Sequence, residues 1–140
     1  MNNNSSERHD DDKMQVLAFL AAMESRDLTN ARRFLAEHVT LEFPGAPTMT
    51  RLEEVVAWAS SRYQKVSKTL HGVDHCATPK GSTVVCHGVL EVIWQDDTTS
   101  SNVRFIDRFE LKDGAIIRQQ VWNDLALARP HFAPAGTLPS

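Results

Sequence analysis

Hydrophobic positions change rhythm along this chain. Between residues 13 and 25, Val16, Leu17, Phe19, Leu20 and Met23 recur at spacings of three and four, one apolar stripe along a helix. Asp27 is placed to cap a second helix that turns Leu28, Ala31, Phe34 and Leu35 inward. Residues 39–43 alternate as a short strand, broken by Pro44, Gly45 and Pro47. A third helix is predicted from about Thr50 to Lys68. Thr50 and Glu53 would form its capping box, and Val55, Val56, Trp58, Ala59, Arg62, Tyr63 and Val66 its inward stripe. Thereafter the period falls to two. Residues 71–77, 83–94, 102–111 and 115–125 read as four strands rich in β-branched and aromatic side chains.

Helices in front and strands behind predict an α+β domain, with N-terminal helices packed on one face of a curved antiparallel sheet. Residues 1–12 are polar and aperiodic and are predicted to be a disordered tail. The domain would occupy residues 13–128. Residues 129–140, with Pro130, Pro134 and Pro139, would be coil.

Composition narrows the function classes. The chain has 140 residues, enough for one domain with a real core. Its formal net charge of -3 offers no basic field to recruit nucleic acid or acidic lipid. No apolar run approaches the ~20 residues of a bilayer span, and the polar start lacks a secretory h-region, so cytoplasmic residence is expected. Cys76 and Cys86 flank a turn at Pro79-Lys80-Gly81-Ser82. A three-residue loop would set them opposite each other, but two buried thiols are the expectation in a reducing compartment.

The most informative stretch is 103–124, two strands joined by a tight turn at Lys112-Asp113-Gly114. Alternation sets Phe105, Asp107 and Phe109 on one face. A carboxyl group between two phenylalanines on the apolar face of a sheet is costly to ionise. It is a satisfied structural group or a working acid. Arg104 and Arg108 should point to the opposite face, which leaves Asp107 without them.

The segments Met14–Phe43 and Phe105–Asp124 carry a resemblance. The first includes RDLTNARRFLAEHVTLEF; the second holds Asp107, Phe109, Asp113, Gly114 and Ile116 in the pattern D-x-F-x-x-x-D-G-x-I. Over residues 13–126 the chain resembles the nuclear transport factor 2-like (NTF2-like) superfamily, and within it the SnoaL-like and ketosteroid-isomerase-like small enzymes. The resemblance implies a cone-shaped fold with an internal cavity, and often a homodimer through the outer sheet face. In ketosteroid isomerases the aspartate matching Asp107 stays protonated and donates a hydrogen bond to a developing enolate. The isomerase base would fall near Phe43 and its tyrosine near Phe19, and neither residue can move a proton. Steroid isomerisation itself is therefore not implied. The resemblance also implies a cavity-facing histidine at the start of the strand after the third helix, which is His71.

His71 and Asp107 are thus the catalytic candidates, the carboxylate orienting an imidazole that moves protons near neutral pH. His75 falls on the face of His71 by alternation, and His87 lies on the adjacent strand as a substrate contact. Zinc or iron is the rival use of such histidines. His71 and His75 would stand about 13 Å apart along a strand, too far for one ion, so no metal is expected. A three-residue hairpin turn places Asp107 opposite Gln119 and Phe109 opposite Ile117. Gln119 and Asn123 then face the cavity and could orient a substrate, while Trp122 faces outward. A two-residue turn would reverse those faces. Trp58, Tyr63 and Phe19 complete the predicted substrate contacts.

The expected activity is acid–base chemistry (isomerisation, cyclisation or dehydration) on a small apolar carbonyl compound, with no cofactor. A non-catalytic ligand-binding or protein-association domain is the alternative. Epoxide hydrolysis, which on this fold resembles two aspartates bridged by an arginine, would draw on Asp107, Asp124 and Arg104.

Overall fold

Residues 3–129 are described by the structure, a computed structural model. Helix α1 (Asn3–Glu24) and helix α2 (Leu28–Arg32) come first. Strand β1 (Leu35–Glu42), helix α3 (Leu52–Ser60) and the strands β2 (Tyr63–Thr78), β3 (Gly81–Trp94), β4 (Thr99–Lys112) and β5 (Ala115–Asn123) follow. A short helix, α4 (Leu125–Ala128), ends the described chain. The strands form one sheet in the order β1-β5-β4-β3-β2. Strands β2 to β5 pair antiparallel, but β1 joins β5 in parallel, so the sheet is mixed rather than purely antiparallel. The α+β class stands.

Local chemistry explains the ends. Asp27 caps α2 by accepting the Asn30 N–H at 3.2 Å. At α3 the capping acid is Glu54, whose Oε1 accepts the N–H groups of Thr50 and Arg51, each at 3.1 Å. The predicted Thr50–Glu53 box is thus displaced by one residue. The predicted tail is helical from Asn3, and Asp12 is buried, accepting from Ser82 Oγ at 2.6 Å and lying 3.2 Å from His75 Nε2. The expected C-terminal coil lies, beyond Arg129, outside the described residues.

The largest correction is at the third helix. It ends at Ser60, and residues 63–68 belong to β2. Pairing with β3 along the whole of a long strand outweighs a weak helical pattern. The β2–β3 turn is also one residue shorter than predicted: Thr78 pairs with Gly81, so Cys76 faces Thr83 and Cys86 faces Val73. Cys76 is exposed and Cys86 buried, both free.

Two apolar clusters fill the concave side. Val16, Phe19 and Leu20 of α1 pack with Leu41, Leu52, Val84, Phe109 and Ile116 in the first. Leu90, Val92, Trp94, Val103 and Phe105 make the second, with Tyr63 and Val66 against it. Asp107 falls on β4 between Phe105 of one cluster and Phe109 of the other.

Candidate active site

Asp107 is fully buried, as its setting predicts. Neither carboxyl oxygen has a hydrogen-bond partner among the described residues. Among the described residues its ion-pair partner is Lys68, whose Nζ lies 3.6 Å from Oδ2, an ion-pair distance too long for a good hydrogen bond. Burial raises the Asp107 pKa above the ordinary carboxylate range, and the Lys68 ammonium opposes that rise. The acid is therefore not free of cations, as the positions of Arg104 and Arg108 suggested. The cation comes from β2, through the stretch misread as helix. Lys68 pairs with Leu90 of β3, and Leu90 with Val103 of β4, so Lys68 stands on the inner face that carries Asp107. Its ammonium also lies 5.4 Å from the centre of the Phe105 ring.

Beside this pair is a cavity of about 70 Å³, lined by Phe19, Leu20, Met23, Glu24, Arg26, Phe43, Val55, Ala59, Tyr63, Val66, Lys68 and Gln119. Asp107 does not itself line it; the acid stands behind Lys68, which does. Tyr63, half-buried on the wall, has its pKa raised by burial, an effect that Arg26 and Arg62 oppose and Asp107 reinforces. Burial first, and the charge of Asp107 second, push the Cys86 thiol up to about 12, so this cross-strand neighbour of the acid is inert as a nucleophile.

The predicted contacts divide. Phe19, Tyr63 and Gln119 line the cavity. Trp58 does not: its ring packs on Phe43, centroids 5.5 Å apart, beneath the Arg62 guanidinium. Asn123 caps α4 instead, its Oδ1 accepting the Leu125 N–H at 3.1 Å. His71 and His87 are exposed and line a groove on the outer face with Ile106 and Trp122. The His71–Asp107 pair is therefore not formed. The reason is a bulge: Leu70 pairs with Gly88 and Gly72 with His87, leaving His71 as an extra residue that breaks the alternation toward His75. A Cβ at Gly72 would press on the His87 imidazole, which would have to turn aside to admit it. The inner-face histidine is His75, held to Asp12 at the far end of β2. The epoxide-hydrolase grouping fails as well, since Arg104 pairs with Asp124 at 2.6 Å through exposed side chains while Asp107 is buried on the other face. Among the described residues no group of three or more His, Cys, Asp or Glu side chains could hold a metal ion.

The β4–β5 hairpin reaches the predicted faces by another route. Lys112 pairs with Ala115 across a two-residue turn in which Asp113 and Gly114 both have positive φ, 52° and 79°. A bulge then leaves Ile117 unmatched, and Phe109 pairs with Gln119, Asp107 with Val121 and Phe105 with Asn123. Gln119 is buried, and Trp122 is 51% exposed on the outer face. Ile116, not Ile117, enters the core.

Comparison with known proteins agrees with this architecture. No curated protein matches the chain by sequence. An NTF2-like protein of unknown function from Burkholderia pseudomallei K96243 superposes with a TM-score of 0.70 at 15% identity, covering 86% of this chain and 98% of that one. A candidate polyketide cyclase from Xanthomonas campestris pv. campestris superposes at 0.67 and 16% identity, covering 86% and 96%. An LEH-like epoxide hydrolase of M. tuberculosis superposes at 0.64 and 16% identity, covering 86% and 87%. Likeness at these identities establishes the NTF2-like fold. The family model of the SnoaL-like domain matches residues 16–119, most of the described chain. The chain belongs to the SnoaL-like domain family.

Proposed function

We propose that this chain is an acid–base enzyme of the isomerase, cyclase or dehydratase type, acting on a small apolar carbonyl compound at the Lys68 cavity. One observation carries the reading: Lys68 stands 3.6 Å from a fully buried carboxyl group whose oxygens lack hydrogen-bond partners. Such a pair can take up or release a proton at modest cost, because burial already disfavours the charged carboxylate. The Lys68 ammonium faces the ligand and protonates its carbonyl oxygen as the α-proton passes to water, and the reverse step restores both. Asp107 holds Lys68 from behind, and Gln119 and Tyr63 offer hydrogen bonds to the carbonyl oxygen. Proton transfer beside a carbonyl needs no cofactor.

The test does not require the natural substrate. Exchange of α-protons into D₂O, followed by NMR over a panel of cyclic enones and 1,3-diketones, reads enolisation directly. The protein should accelerate exchange of at least one member, and Lys68→Met and Asp107→Asn should each lose about a hundredfold. Full exchange in Asp107→Asn, or no acceleration over buffer, would end the reading.

A non-catalytic ligand carrier is the second reading, favoured by Phe19 and Phe43 on the cavity wall, side chains that neither give nor take a proton. In that case ligands bind but no panel member exchanges faster than buffer. We further propose a homodimer through the outer face, where Ile106 is 46% and Trp122 51% exposed. Sedimentation equilibrium should give a dimer that Trp122→Arg dissociates; a monomeric native protein would refute it.

A further inference from the structure

The cavity wall is cationic in a chain that is acidic overall. Lys68 and Arg26 line it against a single acid, Glu24. The Glu24 Oε1 accepts the Lys68 backbone N–H at 2.7 Å, a contact that leaves the lining with two basic side chains to one acidic one. Arg26 donates to the Met23 carbonyl at 2.7 Å, which leaves its charge uncompensated by that contact. Tyr63 is shared with an adjoining pit of about 120 Å³, bordered by Arg62, Trp94, Leu125, Ala126 and Arg129. Arg26, Arg62, Lys68 and Arg129 therefore surround the two openings that meet at Tyr63.

Asp107 is sealed behind Lys68, so it is the ammonium and not the carboxyl that meets a ligand in the cavity. Apart from Tyr63 and Gln119 the rest of the wall is apolar, with Phe19, Leu20, Phe43, Val55 and Val66 among its side chains. An anionic oxygen at Lys68 would gain a charge-assisted hydrogen bond in a poorly solvated site, where it is worth more than in water.

We infer that the cavity selects an organic acid, a small apolar molecule bearing a carboxylate or acidic enol whose anionic oxygen binds Lys68, with Arg26 and Arg62 drawing it in. This rests on the reading of the Lys68 cavity as the substrate site and narrows that substrate to anions. It also assigns Arg26 a part in binding that the acid–base reading does not use.

Propionate and benzoate, titrated beside propionamide and benzamide, test it by NMR shifts at Lys68 and Gln119. Each acid should bind at least about tenfold more tightly than its amide. Lys68→Gln should abolish the preference, Lys68→Arg should keep most of it, and Arg26→Asn should weaken the acids a few-fold while leaving the amides unchanged. Equal binding of acids and amides, no binding of either acid, or a preference that survives Lys68→Gln would overturn the inference. The outcome separates from the enolisation test. Acid selectivity without α-proton exchange sinks only the catalytic reading, whereas exchange without acid selectivity sinks only this one.

Discussion

Strands β1 and β4 place carboxylates on the two faces of the sheet, and the two faces treat them in opposite ways. On the inner face Asp107 is alone with Lys68, without hydrogen bonds, and its pKa is raised. On the outer face Glu42 and Glu110 share Arg118. Its Nε donates to Glu42 Oε2 at 2.6 Å, its Nη2 to Glu42 Oε1 at 3.3 Å and its Nη1 to Glu110 Oε2 at 3.3 Å. Arg108 adds bonds to Glu110 and Gln120 at 2.5 and 2.9 Å. Hydrogen bonds from Arg118 lower the Glu42 pKa, and those from Arg108 lower that of Glu110. The same functional group, in the same sheet, becomes a fixed charge on one side and a poised acid on the other. Solvent access and partner geometry decide which.

The sharpest way to break this contrast is Lys68→Met. Removing the ammonium removes the influence that lowers the Asp107 pKa, so the folded-state value rises further above that of the unfolded chain. A raised acid contributes stability below the unfolded pKa, near 3.9, that is lost as pH rises through the folded value. Chemical denaturation should therefore show Lys68→Met close to the native protein at pH 4 and about 3 kcal/mol less stable at pH 8. Adding Asp107→Asn should flatten that pH dependence. A loss equal at both pH values would mean that Lys68 acts by packing alone.

The outer face should respond more weakly and with the opposite sign. Its carboxylates have lowered pKa values, so their contribution is present above the unfolded value near 4.3 and is lost as pH falls through the folded one. These side chains are partly exposed, and Arg118→Ala should cost about 1 kcal/mol or less at pH 7. Melting curves in 1 M salt should show a smaller cost still. An effect as large as that of Lys68→Met would erase the distinction between the faces.

What the sequence disclosed follows the same division. Asp107 between Phe105 and Phe109 was legible because β4 is regular through that stretch, and alternation then fixes the face. Lys68 was not, because Val66 fits a helical stripe as well as a strand and the choice is made by β3, remote in sequence. Val66, Lys68 and Leu70, read as a strand in their own phase, were the available signal. His71 was misplaced for a related reason. Bulges reset alternation, and this one is announced only by Gly72 and Gly88, where a Cβ would strike the neighbouring strand. Asp12 gave no hint at all, since a polar residue in a polar run shows its burial only when Ser82 and His75 arrive from the sheet.

Ile117 matters beyond its own side chain. Strict alternation from Ile116 would turn Arg118 and Trp122 toward the helices and push Gln119 out into water; the unpaired isoleucine switches the count midway. A bulge also tightens the local coiling of its strand. One surplus residue near the turn thus sorts amide from indole, and it does so ahead of every contact made farther along β5.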